Sequence, residues 1–140
     1  MTIVIKQLSH IGIRVANLER SLAFYRHFGF ELVCEDPNDA VVILTDPNGL
    51  EINLIINAAS DSPPRNELMD IDTKHTGYTH IALEVSSYEG VLGYCVANGI
   101  EVSGGPVDLG DGVALFVRDP DRNVIELRES GVRVGRTYTG

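Results

Sequence analysis

The chain has 140 residues, and its hydrophobic and charged fractions, 44% and 22%, suit one ordinary globular domain long enough to bury a core. A net charge of -9 excludes the basic footprint on which nucleic-acid binding and attachment to anionic membrane surfaces depend. No apolar run approaches the ~18 residues of a membrane span, and the opening from Met1 to His10 lacks the apolar core and cleavage site of a signal peptide, so a cytoplasmic location is expected.

In chain order, residues 8 to 15 alternate strictly, which predicts a half-buried strand with Ile11, Ile13 and Val15 on one face and His10, Gly12 and Arg14 on the other. Asn17 suits the N-cap of a helix over Leu18 to Phe28, with Leu18, Leu22, Tyr25 and Phe28 as its apolar stripe and Gly29 as its C-cap. Three strands follow, Glu31 to Glu35, Ala40 to Asp46 and Leu50 to Asn57, separated by turns at Asp36-Pro37-Asn38-Asp39 and Asp46-Pro47-Asn48-Gly49. Thr79 to Val85 then reads as a strand and Tyr88 to Ala97 as a helix closed by Asn98-Gly99. Strands near Glu101, from Val113 to Asp119 and from Val124 to Glu129 complete the pattern. Cys34 and Cys95 fall at unrelated points and are expected to be reduced, buried thiols.

The second set of elements repeats the first. His10-Ile11-Gly12-Ile13-Arg14-Val15 returns 70 residues later as His80-Ile81-Ala82-Leu83-Glu84-Val85, and Gly29-Phe30-Glu31 returns at the same offset as Gly99-Ile100-Glu101. Asp46-Pro47 leads to Leu54 as Asp119-Pro120 leads to Leu127. Three blocks in one order argue for a duplicated β-α-β-β-β module, with a period too long for a solenoid. The fold expected is α+β: paired modules, about 8–57 and 78–129, in a single domain spanning 1–140, joined by a long linker, 58–77. Curved mixed sheets would enclose a cleft lined by the polar strand faces, which carry His10, Arg14, Glu51, Asn53, His80, Glu84, Glu126 and Arg128. Two histidines and a carboxylate at module positions of this kind are what a divalent metal site needs. The linker is longer than most connections, which favours a lid, a partner arm or a swapped segment over an idle tether. The tail from Gly131 either folds over a site or frays.

The stretch from His10 to Tyr25, closing with Gly29-Phe30-Glu31-Leu32, resembles the first module of the vicinal oxygen chelate superfamily. Gly77-Tyr78-Thr79-His80-Ile81-Ala82-Leu83 and Asp119-Pro120-Asp121-Arg122-Asn123-Val124-Ile125-Glu126-Leu127 resemble the second. The superfamily includes glyoxalase I, methylmalonyl-CoA epimerase, extradiol dioxygenases, fosfomycin-resistance transferases and bleomycin-binding proteins. The resemblance implies a glyoxalase-like fold with metal ligands on the first and last strand of each module, which puts His10, His80 and Glu126 on three of four positions. Matching the Asp-Pro turns pairs Glu126 with Asn53, while Glu51 lies two residues earlier on the same face, roughly 7 Å away along a strand. Asn53, water, or Glu51 brought into register by a bulge are the three candidates for the fourth place. An amide ligates a hard cation weakly and cannot take a proton.

On this resemblance the ion, one of Zn, Ni, Mn, Co or Fe(II), binds a small oxygenated substrate. Glu126 serves the metal and the reaction, Glu51 is the candidate base, and Arg14 and Asn53 line the substrate side. An internal ion pair with Glu84 is the other account of Arg14. A lyase or isomerase of the glyoxalase I type leads. An extradiol-type dioxygenase, a fosfomycin-type thiol transferase and a non-catalytic drug-binding resistance protein follow. A homodimer is expected. His27 and His75 read as surface residues, and Asp119 and Asp121 as turn-formers.

Overall fold

A computed structural model describes residues 1–140 except Pro37, Asp61, Gly135 and Tyr138–Gly140, with Arg136 and Thr137 described by their backbone alone. The chain divides into two compact units, Met1–Pro63 and Pro64–Gly140.

The first unit runs β1 (Ile11–Arg14), α1 (Leu18–Arg26), β2 (Glu31–Asp36), β3 (Val41–Thr45) and β4 (Glu51–Ile55). Its sheet has the order β1-β4-β3-β2, with β1 parallel to β4 and the other pairs antiparallel. The alternation read from the sequence becomes the inside and outside of this sheet. Ile13, Val15, Val42, Leu44, Ile52 and Leu54 are buried with Leu22, Tyr25 and Phe30. Each such side chain contributes about 1.5–3 kcal/mol on leaving water. The Asn17 side chain accepts the amide of Arg20 at 2.9 Å and caps α1. At the other end the helix stops at Arg26, short of the expected Phe28. Gly29 takes φ +86° and lets the amide of Phe30 turn back to the Tyr25 carbonyl.

The second unit repeats the plan as β5 (His80–Glu84), α2 (Tyr88–Ala97), β6 (Val102–Asp108), β7 (Gly112–Arg118) and β8 (Val124–Ser130), in the order β5-β8-β7-β6. Ser87 caps α2 through Gly90, and the amide of Ile100 returns to the Cys95 carbonyl as Phe30 does to Tyr25. The α+β architecture of two βαβββ modules is thus present, each module built on a mixed four-stranded sheet.

Three local structures of the second unit extend or fix its module. Val132–Arg133 (β9) pairs with Arg136–Thr137 (β10), and Val132 packs with Tyr88, Val113 and Leu115, so the start of the tail is folded; Tyr138–Gly140 lie outside the described residues. Asp119 is buried, and its carboxylate accepts the amides of Asp121 and Asn123, which makes it the turn-former expected. The later part of the linker is tied down. Asp70 receives the amide of Asn66 at 2.7 Å and the guanidinium groups of Arg118 and Arg122.

One expectation is corrected. Cys95 is buried and its thiol pKa is raised by desolvation, but Cys34 is exposed. It lies on β2, an edge strand whose ladder to β3 shifts register between Leu32 and Cys34 and whose side chains are largely solvent-facing.

Candidate metal centre

In the first module, β1 and β4 run parallel with Gly12 opposite Asn53. Their polar side carries His10, Gly12 and Arg14 beside Glu51 and Asn53, opposite the face buried with α1. No register shift interrupts the β3–β4 or β1–β4 pairing, so no bulge moves Glu51 into the place of Asn53. Glu51 instead sits next to the first histidine, its Oε2 3.6 Å from His10 Nδ1. That separation is too long for a hydrogen bond. Ser9 Oγ is closer, at 3.0 Å from the same ring nitrogen. Arg14 donates from Nε to Asn57 Oδ1 at 3.0 Å. The Oδ1 atom of Asn53 is buried and meets no hydrogen-bond donor among the described residues.

In the second module, β5 runs parallel to β8 with Ala82 opposite Glu126, and Glu126 is in turn opposite Phe116 on β7. Since Ala82 and His80 are two residues apart on a strand, His80, Glu126 and Phe116 share one face. The imidazole of His80 meets the Phe116 ring edge-on at a centroid distance of 6.2 Å. Thr79 Oγ1 lies 2.9 Å from His80 Nδ1. Glu126 is half-buried and has neither a hydrogen bond nor an ion pair among the described residues. A carboxylate placed this way is left to solvent or to an incoming cation. Glu84 and Arg128 are occupied structurally. Glu84 accepts the Ser130 amide at 2.7 Å, and the hydrogen bonds from Ser130 hold its carboxyl below the usual range, while Arg128 pairs with Asp111.

The two registers are equivalent. His10 is two residues before the partner of Asn53, and His80 two residues before the partner of Glu126. Asn53 therefore holds, in the first sheet, the place Glu126 holds in the second. Imidazole and carboxylate are donor types suited to a borderline divalent ion. The exposed rings of His10 and His80, each engaged at Nδ1, keep Nε2 for a ligand, and the unpartnered Glu126 carboxylate supplies the negative charge. These residues fit such an ion in chemical type. Among the described residues, no three His, Cys, Asp or Glu side chains form a group able to hold such an ion. His27 and His75 are exposed, as expected of surface residues.

Three residues beside these histidines escaped the reading of strand alternation. Ser9 and Thr79 precede the two histidines, and the hydroxyl shared by both copies of the repeat was the available signal. Phe116 carried none, because its contact with His80 spans two strands that are distant in sequence.

Residues 7–127 match the family model described as Glyoxalase/Bleomycin resistance protein/Dioxygenase superfamily. Solved structures share the fold. A glyoxylase/bleomycin resistance protein/dioxygenase domain from Frankia sp. EAN1pec is 19% identical, with a TM-score of 0.73 and coverage of 91% of this chain and 99% of that one. A glyoxalase/dioxygenase from Nostoc punctiforme is 19% identical with a TM-score of 0.70, covering 93% and 98%. The fosfomycin resistance protein FosX from Listeria monocytogenes is 23% identical with a TM-score of 0.66, covering 89% and 91%. With the duplicated βαβββ plan and a family match over most of its length, the chain belongs to the glyoxalase/bleomycin resistance protein/dioxygenase superfamily.

Proposed function

We propose that the protein is a metal-dependent enzyme of the lyase or isomerase type that acts on a small oxygenated molecule, with His10, His80 and Glu126 as the residues that hold a divalent ion. The observation that carries this reading is the half-buried, unpartnered carboxylate of Glu126 on the same strand face as His80, at the module position that pairs with Asn53. A bound ion at these donors supplies Lewis-acid polarisation of a substrate oxygen. Glu51 is the proton-moving base, since it is the carboxylate beside His10 and has no hydrogen bond among the described residues. Arg14 orients an anionic or polar end of the substrate, and Asn53 lines the pocket with an amide that can bind but not move a proton. We place the enzyme in the cytoplasm as a homodimer; no helix is long and apolar enough to cross a membrane among the described residues.

The amide at position 53 favours a second reading. Two histidines and one carboxylate leave coordination positions open for a second reactant, the pattern of non-haem iron chemistry. An extradiol-type dioxygenase is therefore the runner-up, ahead of a fosfomycin-type thiol transferase and a drug-sequestering protein.

Metal titration decides first. Purified protein is expected to bind one Mn(II) per chain, and His10→Ala, His80→Ala and Glu126→Ala each to weaken it beyond the roughly 10–100-fold typical of losing a supporting group. Full metal affinity in all three variants would remove the site. Turnover of the hemithioacetal of methylglyoxal supports the leading reading, and oxygen uptake with catechol under Fe(II) the second.

A further inference from the structure

The same local arrangement stands beside both histidines. Ser9 Oγ is 3.0 Å from His10 Nδ1, and Thr79 Oγ1 is 2.9 Å from His80 Nδ1. Each hydroxyl belongs to the residue immediately before the ring, at matching positions of the repeat. We infer that Ser9 and Thr79 are positioning residues that hold both rings as the Nδ1-protonated tautomer, turning the Nε2 lone pair outward to a metal ion. This rests on the metal reading given above.

The direction of the hydrogen bond follows from the surroundings of His10. Glu51 Oε2 also faces Nδ1, at 3.6 Å, and an ionised carboxylate can only accept. A ring nitrogen that faces both a carboxylate and a hydroxyl is stabilised with a proton on it. Nδ1–H is then the donor to Ser9, and Nε2 is left as a bare lone pair, the form a metal requires. The second module has no carboxylate in this place: the position equivalent to Glu51, opposite His80, is Val124. Thr79 Oγ1 is the one hydrogen-bond partner of the His80 ring among the described residues. The two histidines are therefore unequal. His10 has two groups that hold its tautomer, whereas His80 has one, with the edge-on Phe116 ring limiting its rotation.

The inequality makes the test sharp. Ring tautomers are read from imidazole nitrogen-15 shifts in metal-free protein at a pH where both rings are neutral, and Mn(II) affinity is read separately by titration. Wild type is expected to show Nδ1–H at both rings. Thr79→Val is expected to move His80 toward the Nε2–H form and to weaken Mn(II) about tenfold, whereas Thr79→Ser restores both readouts. Ser9→Ala alone is expected to have a smaller effect, because Glu51 remains; Ser9→Ala with Glu51→Gln brings His10 to the behaviour of His80 in Thr79→Val. An unchanged His80 tautomer in Thr79→Val, or Nε2–H rings in wild type, overturns the inference. A wild-type protein that binds no Mn(II) overturns the metal reading instead, and the tautomers of the metal-free rings still decide the role of the hydroxyls.

Discussion

The turn between the last two strands is built identically in the two modules up to its fourth residue. Asp46 accepts the amides of Asn48 and Leu50, and Asp119 those of Asp121 and Asn123, at distances from 2.8 to 3.0 Å. The fourth residue is left-handed in both, Gly49 at φ +83° and Arg122 at φ +68°. Glycine adopts that backbone without penalty, and arginine does not. What the second module gains is reach: the Arg122 side chain grips Asp70 with two hydrogen bonds, at 2.7 and 3.1 Å, and fastens the linker to the β7–β8 turn. A parallel divergence occurs on the polar face, where Asn53 and Glu126 hold the same register position. A duplicated backbone thus tolerates side-chain specialisation wherever the side chain leaves the shared core. The second copy took up both the carboxylate and the clamp.

Breaking the clamp has the largest expected effect on stability. Asp70 accepts from Arg118, Arg122 and the Asn66 amide, and the Arg122 hydrogen bonds are the main reason its carboxyl is held well below the usual range. Its side chain is only 14% exposed, so the interaction is weakly screened. Asp70→Asn is expected to cost about 2–3 kcal/mol at neutral pH, measured by urea denaturation. A carboxyl with a depressed folded pKa stabilises fully above its unfolded value, about 3.9, and loses that contribution as pH falls toward the folded value. The gap between wild type and Asp70→Asn should therefore be constant above about pH 5 and narrow below about pH 4. A gap that stays constant down to pH 3 would show that Asp70 is not an ionised partner of these arginines.

The register equivalence of Asn53 and Glu126 can be sharpened by making the first module like the second. Asn53→Glu places a carboxylate where a buried amide oxygen now finds no donor among the described residues. If position 53 is the fourth ligand site, Mn(II) affinity should rise about tenfold, worth about 1.4 kcal/mol. Unchanged or weaker binding in a variant that still unfolds cooperatively would mean that the two positions match in backbone alone.

Much of this was legible in the sequence because it is local or periodic. The strict alternation around Ile11, Ile13 and Val15, the Asn17 and Gly29 caps and the repeated Asp-Pro turns each act within a few residues, so their signals survive without knowledge of the fold. The pairing of Asn53 with Glu126 followed from matching the turns, but the absence of a bulge in β4 had to be seen, since a bulge leaves no reliable mark in composition. The clamp was invisible for another reason: Asp70 and Arg122 are 52 residues apart, and in sequence they are one more aspartate in a linker and one more residue in a turn. Cys34 was misplaced because alternation does not tell an edge strand from a central one.

The smallest expected effect separates the two roles of Arg122. Both Arg122→Ala and Arg122→Gly remove the grip on Asp70, so both should be destabilised relative to wild type. They differ only in backbone. Alanine keeps a Cβ in the left-handed region, at a cost of about 1–2 kcal/mol. Glycine avoids that cost but gives the unfolded chain more freedom, which returns about 0.4–1 kcal/mol. Glycine should come out ahead by roughly 0.5–1 kcal/mol in the same urea experiment. That margin would show the second turn to be the first one carrying a strained residue for the sake of its side chain. Equal stability of the two variants would mean that the turn relaxes once the guanidinium lets go, and that Asp70 itself holds φ at position 122 positive.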